Sequence, residues 1–497
     1  MLPVPSLAVA LALAAAAPTP APVRPPVAPK SSPATVLVRS PKAGLPDLRA
    51  FLAEAGQWAP MLRPVEFGKA LGAVLGTDLL DPAALQAAGA DGEAPMSVSF
   101  LREATVVCLS TVKGGKALER ARATLAGSGQ PAKQAYKGAQ LEGAVAAKVW
   151  RAGVATKGSA MCLASGGTDA LAALKEAVDA LGGQGLATSK AVRAAAGLDA
   201  PVMGYFQVPG GGGAFEIRAA KSSLELVGRA ALEGQPLGKA KDGDVLVGLS
   251  AEAPMVLRAQ LTPKAMADPG GAGASVLQFL ASNACKGCDP VTSQAILAAL
   301  KPELVGTVAA LVEGIDPAGA LQRPARYYLF PHAYVLPVKD PAKAEKALES
   351  SVKKLEGKGA KLTKLETAEG SAWSVALGDR EVRVGVEKGV LFIGNHAGAV
   401  ARMLGALGAA KPAKAEHAMS FTIDGPRATA ALRRISIMDV PKSPELAGLF
   451  AVGVEIGSLL KAAKPITGWA DPDGAALKFQ AKLELNPVEP MGPAAGK

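Results

Sequence analysis

The segment Cys285-Lys286-Gly287-Cys288 is the sharpest chemical pattern in the sequence. Two thiols at C-x-x-C spacing suit a tight disulfide, a redox pair or half of a zinc site. Haem attachment requires His at the next position, which is Asp289. Structural zinc needs four ligands, and no second C-x-x-C or H-x-H lies nearby. A helix-like run, Ala274–Ala284, precedes the motif, and Asp289-Pro290 opens another. That context is a loop between helices, not the strand-to-helix junction of a thioredoxin-like site. The expectation is a structural disulfide between Cys285 and Cys288, with free thiols or a redox or metal pair as alternatives. Cys108 and Cys162 fall on predicted strands and read as small core residues; a bridge between them requires the two strands to be neighbours.

Other motifs lack the context that chemistry needs. Ser110–Lys113 and Ser350–Lys353 match S-x-x-K. Ser110 lies on a predicted strand, where positions i and i+3 face opposite ways, and no K-T-G or S-D-N accompanies either match. Gly210–Gly213 precedes a strand and not a helix, so it reads as a flexible connection, not a phosphate cradle. His332, His396 and His417 are far apart in sequence and are expected to be solvated or capping residues. No catalytic, cofactor-binding or metal-binding residue is assigned.

The 497-residue chain is 49% hydrophobic and 20% charged, which suits a folded protein with a sizeable core. Aromatic residues are 4%, so that core is built from Ala, Val and Leu. The net charge is +11. Its densest contribution, Lys339–Lys364, holds eight lysines with Glu345, Glu349 and Glu356 among them. Ala344, Leu348 and Leu355 share a helical face there, and Glu349 and Lys353 form an i,i+4 pair. The simplest reading is the solvated face of an amphipathic helix. The sharper one is contact with an anionic surface or envelope partner. Nucleic acid is disfavoured by the scarcity of aromatics and of recognition motifs.

Ser6–Ala17 is a short apolar run ending in small residues, followed by a Pro-rich stretch. This fits an export signal and is too short to span a bilayer. Cleavage is expected just before Ala17, since Pro18 obstructs a cut after it. Leu446–Leu460 is interrupted by Glu455, so no transmembrane span is expected.

Internal matches suggest duplication. With an offset of 209, 35–52 and 244–261 share seven identities in eighteen positions. Further matches place Val112-Lys113 on Val338-Lys339, Lys157 on Lys388 and Leu224 on Leu477, at offsets of 226, 231 and 253. These put Cys108 opposite Tyr334 and Cys162 opposite Ile393. The predicted elements include helices over Pro46–Ala55, Pro82–Ala88, Gly115–Ala126 and Ala170–Leu181. Strands are predicted at Met96–Leu101, Thr105–Val112, Val145–Trp150 and Ala160–Ala164, with a closing hairpin of Phe215–Ala219 and Leu224–Leu232. The fold expected is α+β: two tandem homologous repeats, each a mainly antiparallel sheet with helices on one face. The boundaries are 1–16 signal, 17–34 Pro-rich linker, 35–232 repeat one, 233–243 linker, 244–486 repeat two and 487–497 disordered tail.

Gly76–Phe100, GTDLLDPAALQAAGADGEAPMSVSF, and the fainter GIDPAGAL at Gly314–Leu321 give the chain a recognisable texture. It resembles a family of uncharacterised, Ala-rich, internally duplicated exported proteins of high-GC Gram-negative bacteria. The resemblance implies an envelope address and no catalytic residues. The function expected is a non-enzymatic binding or scaffolding role in the periplasm or outside the cell. The alternatives are a carrier of an apolar ligand or lipid, and an enzyme whose site is not visible as a motif.

Overall fold

The computed structural model describes residues 28–487, except 102–103, 114, 167–168, 186–197, 209–210, 233–236, 241–245, 247–252, 263–299, 323–329, 357–358, 367–369, 378–379, 412 and 439–443. The signal, most of the Pro-rich linker, nearly all of the C-terminal tail, Cys285 and Cys288 lie outside the described residues. The described chain divides into two units, one of residues 28–231, 462–464 and 480–487, the other of residues 232–461 and 465–479.

The first unit contains β1 (Ala34–Val38), β2 (Met96–Phe100), β3 (Thr105–Ser110), β4 (Gln130–Tyr136), β5 (Ala139–Ala146), β6 (Val149–Lys157), β7 (Ala160–Ser165), β8 (Val202–Val208), β9 (Gly211–Ala220) and β10 (Ser223–Leu232). Its strand order is β4-β5-β6-β7-β3-β2-β1-β8-β9-β10, antiparallel from β4 to β9. Its helices are α1 (Pro41–Trp58), α2 (Pro64–Leu71), α3 (Pro82–Ala87), α4 (Ala117–Ala126) and α5 (Ala170–Asp179). Two start where the sequence marks them. Asp81 accepts from the N–H groups of Ala83 and Ala84 ahead of α3, with Pro82 in the first turn. Asp169 does the same for α5 through Leu171 and Ala172.

The second unit contains β11 (Met255–Gln260), β12 (Thr307–Val312), β13 (His332–Pro337), β14 (Lys361–Leu365), β15 (Ser371–Leu377), β16 (Arg380–Glu387), β17 (Val390–Gly394), β18 (Met419–Ile423), β19 (Ile466–Asp473) and the start of β20 (Ala476–Glu484). The order is β14-β15-β16-β17-β13-β12-β11-β18-β19-β20, antiparallel from β14 to β19. Its helices are α6 (Pro317–Gln322), α7 (Pro341–Glu356), α8 (Ala397–Ala409), α9 (Gly425–Leu432) and α10 (Pro444–Ala462). Among the described residues the chain is therefore α+β, with extensive antiparallel sheet. The outer strands β4 and β14 carry Pro131, Lys133, Lys361 and Lys364, which discourage edge-to-edge pairing.

Several expectations need correction. Leu48–Leu52 lies within α1, whereas Leu257–Gln260 lies within β11, so the match at offset 209 joins a helix to a strand. Val145–Trp150 is not one strand. It spans the turn between β5 and β6, where Ala147 and Lys148 have φ of 52° and 66°, the signature of a two-residue hairpin with the sheet's own twist. Gly211–Gly213 belongs to β9 and is not a flexible connection. Gly204 and Gly213 leave room for the rings of Phe215 and Phe206, which a Cβ would strike.

Helices also cover both faces of the first unit's sheet, not one. Val106, Cys108, Leu141, Ala155, Cys162 and Ala164 form one core with Leu174, Ala177 and Val178 of α5. The alternate residues Val107, Leu109, Met161 and Leu163 point the other way and are buried too. On that other face Gly44 of α1 lets the helix approach Val38 and Val202; a Cβ there would lie 3.1 and 3.0 Å from their methyl carbons. The run VVCL in β3 is continuously apolar because both its faces are covered.

Cys108 and Cys162 face each other directly across β3 and β7 and form a disulfide. The bond lies inside the core, with the two cysteines 4% and 0% exposed. In the second unit α8 packs over Val335 and Phe392, which also pair directly, and not over the adjacent pair Tyr334 and Ile393. The sequence matches through Tyr334 and Ile393 are thus one residue out of step with the helix cover, and one residue reverses the face.

The bridge spans a sequence separation of 54, for which chain-entropy arguments give about 4 kcal/mol and measured bridges about 2–5 kcal/mol. Cys108→Ala/Cys162→Ala is expected to lower the unfolding free energy by about 2–4 kcal/mol, measured by urea unfolding of the full chain.

Candidate functional site

One transverse row of the second unit's sheet changes character along its length. It runs Val335, Ala309, Arg258, Ser420, Trp469 through β13, β12, β11, β18 and β19. Val335 and Ala309 are fully buried beneath α8. Arg258, Ser420 and Trp469 are only half-buried. The first unit's row through Cys108 passes Ser97, Leu37, Met203 and Glu216. There Leu37 and Met203 stay apolar and pack with Ala28 and Leu198.

Around the half-buried end, polar groups converge. Arg258 Nη2 donates to His417 O at 3.1 Å and to Ser420 Oγ at 3.3 Å. His417 Nδ1 lies 2.7 Å from Asp471 Oδ2. Its ring stacks on Trp469, with centroids 4.3 Å apart and planes 4° from parallel. Asp471 Oδ1 accepts from the N–H of Ala418 at 2.7 Å. Lys478 Nζ lies 5.9 Å from the Trp469 centroid. A carboxylate at Nδ1 favours the tautomer with the proton there and leaves Nε2 as the imidazole's acceptor. The cluster therefore brings a guanidinium, a lysine side chain, one oriented imidazole and an indole plane together on a single sheet surface. That combination suits recognition of an anionic group next to a flat or apolar one.

A second polar group closes another end of this unit's sheet. Arg402 Nε donates to Glu313 Oε1 at 2.7 Å, and His396 Nδ1 lies 3.5 Å from Glu313 Oε2. Asn395 Oδ1 accepts from His332 N–H at 2.8 Å, while Asn395 Nδ2 and His332 Nδ1 both reach Phe330 O, at 3.1 and 2.8 Å. This second network ties strand ends together.

The three histidines are thus neither isolated nor alike. His332 is 3% exposed, which overturns the expectation of a solvated residue. Burial lowers its pKa to about 4. His396 occupies the N-cap position of α8 but its side chain makes no cap hydrogen bond. His417 and Asp471 are 54 residues apart, and only the pairing of β18 with β19 joins them. Alternation in β18 and β19 could have placed Ser420 and Trp469 on one face, but nothing in the sequence gives their register. Ser110 ends β3, and Lys113 follows beyond the strand. Lys353 pairs with Glu349 at 2.9 Å, as the i,i+4 spacing predicts, and not with Ser350. Ala344, Leu348 and Leu355 form the buried face of α7, as expected. Among the described residues no group of three or more His, Cys, Asp or Glu is placed to hold a metal ion. No described helix is long and apolar enough to cross a membrane.

No protein-family model matches the chain, and no curated protein does. One solved structure, titled "Structure of crystal form I of TP0453", is similar over 44% of this chain and 82% of its own, at 10% identity and a TM-score of 0.22. A likeness at that TM-score carries no argument about fold or function.

Two outcomes follow. Unfolded His332 titrates near 6.5 and folded His332 near 4, so between those values the unfolded state binds the extra proton. Stability is expected to fall as pH drops from 6.5 towards 4, by up to about 3 kcal/mol from this group. His332→Asn, which keeps a donor near the Nδ1 position, should remove that part of the slope in unfolding measured across pH. Asp471→Ala strips the buried Ala418 N–H of its acceptor and should cost about 1–3 kcal/mol. Asp471→Asn, which retains an acceptor, should cost less in the same assay.

Proposed function

We propose that the chain is an exported protein with a non-enzymatic binding or scaffolding role in the cell envelope. The observation that carries the address is the buried Cys108–Cys162 bridge. Disulfides persist in oxidising compartments and are uncommon as structural elements in the cytosol. The apolar N-terminal run Ser6–Ala17 supports the same address, as does the resemblance to Ala-rich exported proteins. The half-exposed Arg258–Ser420–Trp469 row, with His417 and Lys478, supports a binding role. A carrier with an apolar ligand on its central strands is less favoured, because both faces of β3 and β7 are already buried.

We further propose that the two units descend from a duplication. The same order of pairings supports this. Stepping through the registers from Cys108 and Val335 matches Ser97 with Ala309, Leu37 with Arg258, Met203 with Ser420 and Glu216 with Trp469. In the other direction Cys162 matches Phe392, Ala155 matches Gly385 and Leu141 matches Ala372. The last offset on the first path is 253, the value already found for Leu224 and Leu477. The shared Lys-Gly dipeptides account for the one-residue discrepancy at Ile393. Lys157 ends β6 and the turn begins at Gly158, whereas Lys388 is itself the first turn residue.

Two experiments test this reading. N-terminal sequencing of the protein from a periplasmic or secreted fraction of the native host should begin at Ala17. A chain beginning at Met1 and recovered with the cytosol would contradict the address. For the duplication, Val335→Cys/Phe392→Cys, introduced with Cys285 and Cys288 replaced by Ser, should form a second bridge seen by mass spectrometry. Bridging through Tyr334→Cys/Ile393→Cys with none at 335 and 392 would contradict the proposed correspondence.

A further inference from the structure

The pairing that is closed by a two-residue connection in the first unit carries a helical hairpin in the second. Val208 of β8 pairs with Gly211 of β9, so those strands join almost directly. β18 and β19 pair from Ile423 and Ile466, with α9 and α10 between them. A hairpin of this kind can close without the insertion, so the insertion is free to serve another purpose.

Its packing is defined where α9 meets α10. Thr429 Oγ1 donates to Gly457 O at 2.8 Å, and Gly453 abuts Leu432, which fixes α9 against α10. Ile315, Ala431, Leu432, Ile435 and Leu446 form a small core beneath them. Ile437 and Met438, in the turn that follows α9, are 68% and 72% exposed, and Val454 of α10 is 66% exposed. The other exposed large apolar residues among those described reach only 38–43%, and none of them lies on this hairpin. Arg433 and Arg434 are exposed on the same turn as Ile437 and Met438, and neither is in an ion pair among the described residues. Buried Ile435 anchors the turn from within, with Ile435 N–H donating to Leu432 O and Met438 N–H to Ser436 Oγ, both at 3.2 Å. Within Arg433–Met438 the two charged side chains are both arginines.

We propose that the Arg433–Met438 turn docks on the surface of an anionic phospholipid bilayer. Ile437 and Met438 enter the boundary between headgroups and acyl chains while Arg433 and Arg434 meet lipid phosphates. This deepens the binding role proposed above by naming its partner, and it rests on that reading. The chemistry favours lipid over protein. A stable protein interface buries about 800 Å² on each partner, more than a turn tip of two apolar side chains offers. A few inserted apolar groups backed by cations are enough for reversible binding to an anionic membrane.

The test is co-sedimentation of the full chain with vesicles of phosphatidylcholine alone or mixed with phosphatidylglycerol. Wild type should pellet with the phosphatidylglycerol vesicles and be released by salt. Ile437→Ser/Met438→Ser should weaken binding about tenfold or more, given the transfer free energy of two apolar side chains. Arg433→Gln/Arg434→Gln should remove the preference for phosphatidylglycerol. Met61→Ser, at an exposed apolar residue elsewhere, should change nothing. All variants keep the same N-terminus, so any vesicle affinity of Ser6–Ala17 cancels in the comparison. Circular dichroism checks the fold of each variant, and Ile437→Ser alone replaces the double variant if that fails to fold. The proposal is overturned if wild type ignores phosphatidylglycerol vesicles, or if the apolar variant binds them equally well. Self-association lost in that variant, without vesicle binding, would assign the surface to a second copy and also overturn it. None of these results bears on export, which N-terminal sequencing tests separately.

Discussion

The bond between Cys108 and Cys162 fixes the register of β3 against β7. In an antiparallel sheet a slip of one residue exchanges the two faces of a strand. Here that exchange would turn Val107, Leu109, Met161 and Leu163 towards α5 and drive the cysteines to the side of α1. Because both faces are covered, each has been packed to fit, and neither set can replace the other without leaving gaps. The rest of the unit follows from this pair. Ser97 is set by Cys108, Leu37 by Ser97, Met203 by Leu37, and the helices dock on the surfaces so defined.

The second unit reaches the same pairing order without a bridge among its described residues. Val335 and Phe392 occupy the position beneath α8 that the cysteines occupy beneath α5. An apolar pair supplies burial there but no covalent link. The two units then differ at their outer strands. Where the first has Leu37 and Met203 in a small apolar cluster, the second has Arg258, Ser420 and Trp469 with a half-exposed His417. Where the first joins β8 to β9 tightly, the second inserts α9 and α10. The two units thus share a pairing order among their central strands and differ in the surfaces at their periphery.

Much of the element order was legible in the sequence because it rests on local signals. Asp81-Pro82 announces α3 through capping, and the Leu/Ala spacing of 344, 348 and 355 announces the buried side of α7. Register was not legible. The match of 35–52 with 244–261 failed because an apolar run with Leu-Arg-Ala serves a helix in one place and a strand in the other. The Lys-Gly match is one residue out of step with the helix cover because the identical dipeptides occupy different positions in their turns. Helix cover on both faces was written in the continuous apolar run VVCL of β3, but four residues are too few to separate a doubly covered strand from other buried segments. The candidate site was illegible for a related reason. His417 meets Asp471, and Arg258 meets Ser420, only through pairing between strands that no local pattern predicts.

Mass spectrometry of the protein isolated from its native host, alkylated before any reduction, tests the central claim most directly. The account predicts a peptide pair linked through Cys108 and Cys162, with neither cysteine alkylated until a reductant and a denaturant are added. Full alkylation of both cysteines in denaturant without reductant would show that the bridge is absent in the cell. It would contradict both the covalent registration of β3 on β7 and the extracytoplasmic address drawn from it.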